Sequence, residues 1–300
     1  MEDFSLDRAD SQVPDSDVPD AGDRPDTGPC GYDKPFRSPP VPVDLGAAGT
    51  NWGGWLSPDE SRIYFASYRD GGTKLYFATR DGGRGSFAST VAPLGCCNTR
   101  PNETTPTLTD DRRLMVFAGG VSTQERYDLF ITQWVDASND FADATALQQL
   151  NISGTVDEWA PFLASGGRKL WFSSNRSGEY DIYVANLAAD GGVQNSALVQ
   201  GISVSGAHDD NPVLSANGQN LYFSSTRNGA NVAVWVAHRN NVSDDHKSWG
   251  APILAGVPDM ALQDQERPVW ISPDECRLYY MVQHQGDDKY RQLYMVERGP

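Results

Sequence analysis

One pattern recurs five times along this chain, and the recurrence leaves few folds open. A polar turn leads into a short apolar strand, and a second aromatic strand follows. The first strands read Ile63-Tyr64-Phe65, Met115-Val116-Phe117, Leu170-Trp171-Phe172, Leu221-Tyr222-Phe223 and Leu278-Tyr279-Tyr280, so the third residue returns after 52, 55, 51 and 57 positions. A period of roughly 50 residues suits one four-stranded blade of a β-propeller. In the third repeat, residues 157–163 read as an inner strand with an acidic start, 170–174 as the second strand and 180–184 as the third. The alternation in Tyr180-Asp181-Ile182-Tyr183-Val184 is the two-residue rhythm of a strand packed between sheets.

A weaker outer strand follows, marked by an aromatic and then Pro or Leu, at Phe87 to Leu94, Phe141 to Leu150, Leu198, and Trp249 to Leu254. The chain ends on the third strand of its fifth repeat, Leu293-Tyr294-Met295-Val296, so that blade lacks its outer strand. Phe36 and Val41-Pro42-Val43-Asp44-Leu45 carry the same pattern near the N-terminus. The expected fold is therefore all-β: a five-bladed β-propeller over residues 36–300, closed by an N-terminal outer strand. Closure would remove the free sheet edges that make open arrays aggregate.

Charge is unevenly spread. Residues 1–34 hold ten acidic side chains against Arg8, Arg24 and Lys34, and contribute -7 to a net charge of -16. Little in that segment is apolar, so no core would offset the backbone entropy lost on ordering it. Residues 1–35 are expected to be a disordered acidic, Pro/Asp-rich spacer, mobile over 1–29. The body is acidic and shows no Lys/Arg cluster, so the counterion release that drives nucleic-acid binding is missing and nucleic acid is not an expected partner. No run approaches the length of a membrane span. An Asp/Pro spacer ahead of a β domain is the kind of segment expected behind a cleaved signal peptide or a lipid anchor, which points to a periplasmic, cell-surface or secreted protein.

The four cysteines, Cys30, Cys96, Cys97 and Cys276, are even in number. An outer strand begins on the same propeller face as the turn between first and second strands, so Cys30 and Cys276 are candidates for a disulfide across the ring closure. Cys96 and Cys97, on the opposite face, can pair only with each other or stay free, and four unpaired thiols remain the alternative. No Cys/His spacing supports a metal site, no nucleotide fingerprint or nucleophile triad appears, and no cofactor is expected.

Chemistry concentrates at one mouth of the channel. The inner strands begin at Asn51, Glu103, Glu158, Asp209 and Glu266, and four residues past each second-strand aromatic stand Arg69, Val121, Arg176, Arg227 and His284. A carboxylate ring beside an arginine ring predicts ion pairs in which each acid meets a neighbouring blade's arginine or caps backbone N–H groups. The symmetry breaks at Trp52 and Trp55 in the first repeat, at Val121 and at His284. Trp52, Trp159 and Trp270 lie on or beside inner strands, where exposed rings would stack on a sugar or peptide. His208 and His284 sit on separate blades and predict no metal.

The turns Ser57-Pro58-Asp59 and Ser272-Pro273-Asp274, with Asn175-Arg176 and Thr226-Arg227, resemble TolB-type, WD40-like propeller repeats, and the resemblance covers all five repeats. It implies the fold, but its members include binding proteins, enzyme-associated domains and many of open role. TolB is a periplasmic protein-binding propeller with a separate N-terminal domain that has no counterpart here, so a role in a Tol system is not expected.

The expectation is thus a monomeric, non-enzymatic binding propeller of a bacterial cell envelope or a secreted one. It would hold a peptide, glycan or partner protein at the mouth formed by Trp52, Arg69, Glu103, Glu158, Trp159, Arg176, Asp209, Arg227, Glu266 and His284. The alternative is a carbohydrate-active enzyme, glycosidase or lyase-like, using two of the carboxylates roughly 5–10 Å apart. A salt-bridged ring favours the first, and a funnel with two unpaired carboxylates favours the second.

Overall fold

The computed structural model describes residues 30–298 except 47–49, 82–84, 122–125, 189–190, 230, 244, 259–263 and 285–290. In chain order, β1 (Val41–Pro42) precedes blade one: β2 (Asn51–Leu56), β3 (Arg62–Ser67), β4 (Lys74–Thr79) and β5 (Ala92–Pro93). Blade two is β6 (Glu103–Leu108), β7 (Leu114–Gly120), β8 (Tyr127–Val135), β9 (Asp140–Phe141) and β10 (Thr145–Ala146). Blade three is β11 (Glu158–Leu163), β12 (Lys169–Ser174), β13 (Asp181–Leu187) and β14 (Val193–Leu198). Blade four is β15 (Asp209–Leu214), β16 (Asn220–Ser225), β17 (Ala233–His238) and β18 (Ile253–Leu254), and blade five contributes β19 (Gln265–Ile271), β20 (Arg277–Gln283) and β21 (Arg291–Glu297). Each blade is an antiparallel meander running outward from the axis, and the fifth takes β1 as its outer strand. The protein is a five-bladed β-propeller.

The core lies between blades. Middle strands carry large apolar side chains on both faces, as in Leu221, Tyr222 and Phe223, all fully buried. One apolar cluster spans blades one, two and five, and three more fill the seams between blades two and three, three and four, and four and five. Every inner strand except that of blade one carries its ladder irregularity beside a proline: Pro106, Pro161, Pro212 and Pro268. The residue before the proline in blades two to four adopts a left-handed backbone, Thr105 at φ 48°, Ala160 at 47° and Asn211 at 54°. The bulged segments crowd the axis, and the free volume left there is only about 20 Å³. Blade one solves the same crowding with Gly54, where a Cβ would lie 2.5 Å from the Tyr64 carbonyl oxygen.

Ring closure joins the two ends of the described chain. Val41 pairs with Met295 and Pro42 with Tyr294, Phe36 bridges Arg298, and the Val43 N–H donates to the Leu293 carbonyl at 2.9 Å. Cys30 and Cys276 are disulfide-bonded with a Cα separation of 5.1 Å across 246 residues of sequence. Arg298 stacks over Phe36 and donates to the carbonyls of Lys34 and Glu275 and to the Tyr222 hydroxyl. Of the spacer expected over 1–35, residues 1–29 lie outside the described residues. Residues 30–35 are described and pack on the closing blades, with Cys30 buried and Tyr32 stacked on His238 at a ring separation of 4.4 Å.

Candidate functional site at the channel mouth

The antiparallel meander puts the start of every inner strand and every loop between second and third strands on one face. Asn51, Glu103, Glu158, Asp209 and Glu266 all sit there, and all are buried. Of the two expected arrangements, capping of backbone N–H groups occurs at Glu158 and Asp209, while their arginine partners come from the same blade and not from a neighbour. Glu158 Oε1 accepts from Arg176 Nη2 at 3.1 Å, and Asp209 Oδ1 accepts from Arg227 Nη2 at 2.7 Å, each within one blade. Blade one repeats the geometry more weakly, Arg69 Nη2 reaching Asn51 Oδ1 at 3.4 Å. The arginines stay in their own blades because each guanidinium lies over that blade's aromatic pair: Arg176 over Phe172 and Tyr183, Arg227 over Phe223 and Trp235, Arg69 over Phe65 and Tyr76.

Blade two keeps the arrangement with different residues. Val121 occupies the arginine position and is exposed, while Arg100, from the loop entering the blade, lies over Phe130 and Phe117. The Glu103 carboxylate accepts from Lys74 Nζ of blade one at 3.1 Å and from the Arg100 backbone N–H at 2.5 Å, so here a cross-blade ion pair does occur. The same loop holds the Cys96–Cys97 disulfide, and among the described residues no cysteine is free. In blade five His284 contacts Asp264 at 2.9 Å, and Glu266 also has a partner. His208 pairs with Glu179 at 3.2 Å, and no cluster of three or more metal-ligating side chains exists among the described residues.

These buried acids also hold backbone. Glu158 Oε2 accepts the Ile152 N–H at 3.3 Å, and Asp209 Oδ2 accepts the Val204 N–H at 3.1 Å. From the other side Arg176 donates to the Leu150 carbonyl and Arg227 to the Ile202 carbonyl. Each acid–arginine pair therefore clamps the loop that enters its blade. Burial pushes the Glu158 and Glu103 carboxyls above their ordinary range, against the opposing pull of Arg176 and of the donors around Glu103. Such groups are fastenings, and the groups facing solvent at this mouth are others. Trp52 and Trp159 are half-buried, Arg291 lying 4.7 Å over the Trp52 ring, whereas Trp55 and Trp270 are buried in the core. Tyr68, Val121, Ile152 and Val204, all in loops of this face, are 49%, 39%, 38% and 44% exposed.

A roomier cavity lies elsewhere. It has about 290 Å³ at the seam between blades five and one, on the opposite face, with Val43 and Met295 on its walls and Glu60, Arg80, Arg277 and Tyr279 joined in one network on its floor.

No protein-family model matches the chain, and no curated protein matches it in sequence. Solved structures do match in shape. A putative TolB from Agrobacterium tumefaciens is 14% identical, with 84% of this chain and 78% of that one aligned at a TM-score of 0.54. The chain has the TolB-type propeller fold. TolB from Acinetobacter baumannii aligns at a TM-score of 0.50 and 15% identity over 83% of this chain, which spans about half, 54%, of that protein's length. An α-L-arabinofuranosidase from Podospora anserina, solved with cellotriose, aligns at 0.54 and 11% identity over 87% of this chain and 95% of its own. The propeller is thus common to TolB proteins and to a glycoside-cleaving enzyme, and function has to be argued from the site.

Proposed function

We propose that this protein is a binding propeller that takes a peptide or a partner protein on the face carrying Tyr68, Val121, Ile152 and Val204, with Trp52 and Trp159 at its centre. One observation carries this: the mouth's acid–arginine pairs are turned inward as loop clamps, so the face presents Ile152 and Val204 on loops that the pairs hold, with Tyr68 and Val121 exposed on neighbouring loops. Exposed apolar groups on fixed loops, with water excluded around them by a partner, are what protein recognition uses. The carbohydrate-active alternative needs two accessible carboxylates above a funnel. Glu103, Glu158 and Asp209 are instead fully buried and engaged, and the pocket at the axis behind them has only about 20 Å³ free.

An envelope or secreted location accompanies this proposal. It rests on the acidic composition of residues 1–34, on two disulfides and on the fold shared with TolB. The test is capture of partners from envelope extracts by the wild-type protein and by a Tyr68→Ser/Val204→Ser variant of unchanged melting temperature. A partner identified with the wild type and lost with the variant supports the proposal. Glycan hydrolysis by the wild type that disappears in Glu266→Gln would replace it with the enzymatic alternative.

A further inference from the structure

The turn between first and second strands repeats in detail in four of the five blades. A Ser or Thr hydroxyl accepts the N–H five residues on: Ser57 from Arg62, Thr109 from Leu114, Ser215 from Asn220 and Ser272 from Arg277. Three residues after that hydroxyl the backbone is left-handed, at Glu60 (φ 57°), Arg112 (59°) and Glu275 (56°). The conformation is unusual for side chains of this size, and in two blades its use is visible. Glu275 of blade five reaches across the seam to blade four, accepting from Tyr222 Oη at 2.7 Å and Asn220 Nδ2 at 2.8 Å. Glu60 of blade one does the same to blade five, accepting from Tyr279 Oη at 2.6 Å and Arg277 Nε at 2.6 Å.

At the seam between blades one and two the receiving pair is present without its carboxylate. Arg62 and Tyr64 stand where Arg277 and Tyr279 stand in blade five, but the residue offered from blade two is Arg112. The seam there is a pocket of about 170 Å³ lined by Arg62, Tyr64, Asp111, Arg112, Arg113 and Trp134. Its internal bonds leave Arg62 and Arg112 without a carboxylate partner among the described residues. Arg62 Nη1 reaches Tyr64 Oη at 3.4 Å, Arg112 makes no side-chain hydrogen bond or ion pair among the described residues, and Arg113 turns to Asp136 at 2.8 Å. Asp111 Oδ1 accepts from the Thr109 hydroxyl and the Arg113 N–H, which fixes that carboxylate within its own turn. Two guanidiniums without a carboxylate partner, Arg62 and Arg112, thus line one pocket beside a tryptophan, with Arg113 paired to Asp136 next to them, in a protein of net charge -16.

We infer that this seam binds a small carboxylate-bearing ligand, whose carboxylate takes the place that the Glu60 and Glu275 side chains fill in their own seams. The guanidinium forks of Arg62 and Arg112 match a carboxylate, the Tyr64 hydroxyl donates a further hydrogen bond, and Trp134 supplies an apolar wall for the rest of the molecule. The site is on the opposite face from the loops of the proposed binding surface and is independent of it.

The test is a calorimetric titration of the full chain with succinate and, in a second arm, inorganic phosphate. Wild type is expected to bind succinate saturably and more tightly than phosphate. Arg112→Glu, which restores the repeat's own carboxylate, is expected to weaken succinate binding about tenfold or more and to raise the melting temperature. Arg62→Gln should weaken binding in the same way, which keeps the test open if Arg112→Glu does not fold. No saturable succinate binding by the wild type, wild-type affinity in both variants, or tighter binding of phosphate than of succinate would overturn the inference.

Discussion

The Glu158 carboxylate and the Arg176 guanidinium meet at 3.1 Å inside one blade and between them hold the loop around Ile152 from both sides, the acid on the Ile152 N–H and the arginine on the Leu150 carbonyl. Removing either partner leaves the other's charge without its counterpart and one backbone group, the Ile152 N–H or the Leu150 carbonyl, without its bond. Glu158→Ala is expected to cost about 3–5 kcal/mol of unfolding free energy. Glu158→Gln keeps an acceptor for Arg176 and should lower stability by less, so denaturant melts of the two variants should rank in that order.

Burial raises the Glu158 and Glu103 carboxyls, so the folded state takes up protons at a pH where the unfolded chain, near about 4.3 for glutamate, has lost them. Their contribution to stability is fully present below the unfolded value and is lost as pH rises through the raised folded value. The melting-temperature gap between wild type and Glu158→Gln should therefore be widest in acid and narrow as pH rises. A gap that widens with pH would mean that the Arg176 pair outweighs burial.

The Cys30–Cys276 bond encloses nearly the whole described ring, 246 residues of sequence, and it adjoins the contacts by which β1 completes blade five. Loop-closure entropy for a span of that size gives about 5 kcal/mol. Cys30→Ser should lose a stabilisation of that order in denaturant melts while leaving the Cys96–Cys97 bond in place. A loss well under about 1 kcal/mol would show that strand pairing alone closes the ring.

Much of this architecture is legible in the sequence because each blade must state its own turn, aromatic strand and acid. The Leu-Tyr-Phe type strands and the Phe36 to Leu45 segment are enough to place five blades and their closure. Which acid meets which cation is not legible, since that depends on where side chains travel after the backbone is set. Lys74 crosses a seam to Glu103, and Arg100 enters the aromatic slot of blade two from upstream, replacing the arginine that Val121 displaces. Arg62, Arg112 and Arg113 form a cluster only across a seam, so the body's charge pattern conceals it. A signal was available: aligned turns give Glu60 and Glu275 against Arg112. That position is easily taken for turn chemistry alone, although its left-handed backbone delivers the side chain to the preceding blade.

Gly54 tests how tightly the axis is packed. It lies in the inner strand of blade one, where a Cβ would be 2.5 Å from the Tyr64 carbonyl oxygen and 3.3 Å from the Phe65 Cβ. Both obstacles belong to the neighbouring strand, so relief requires moving β2 away from β3 instead of turning a side chain. With only about 20 Å³ free at the axis, β2 has little room to move inward against the bulged segments of the other blades. Gly54→Ala is expected to destabilise by about 1–3 kcal/mol, the usual range for overpacking. Gly178→Ala is the matched comparison: its turn has φ 114°, but a Cβ added there would meet nothing within 4 Å, so its cost is backbone strain alone. Amide exchange should rise in β2 and β3 for Gly54→Ala and stay local to the turn for Gly178→Ala, and equal, turn-confined effects would show that the axis is looser than its volume implies.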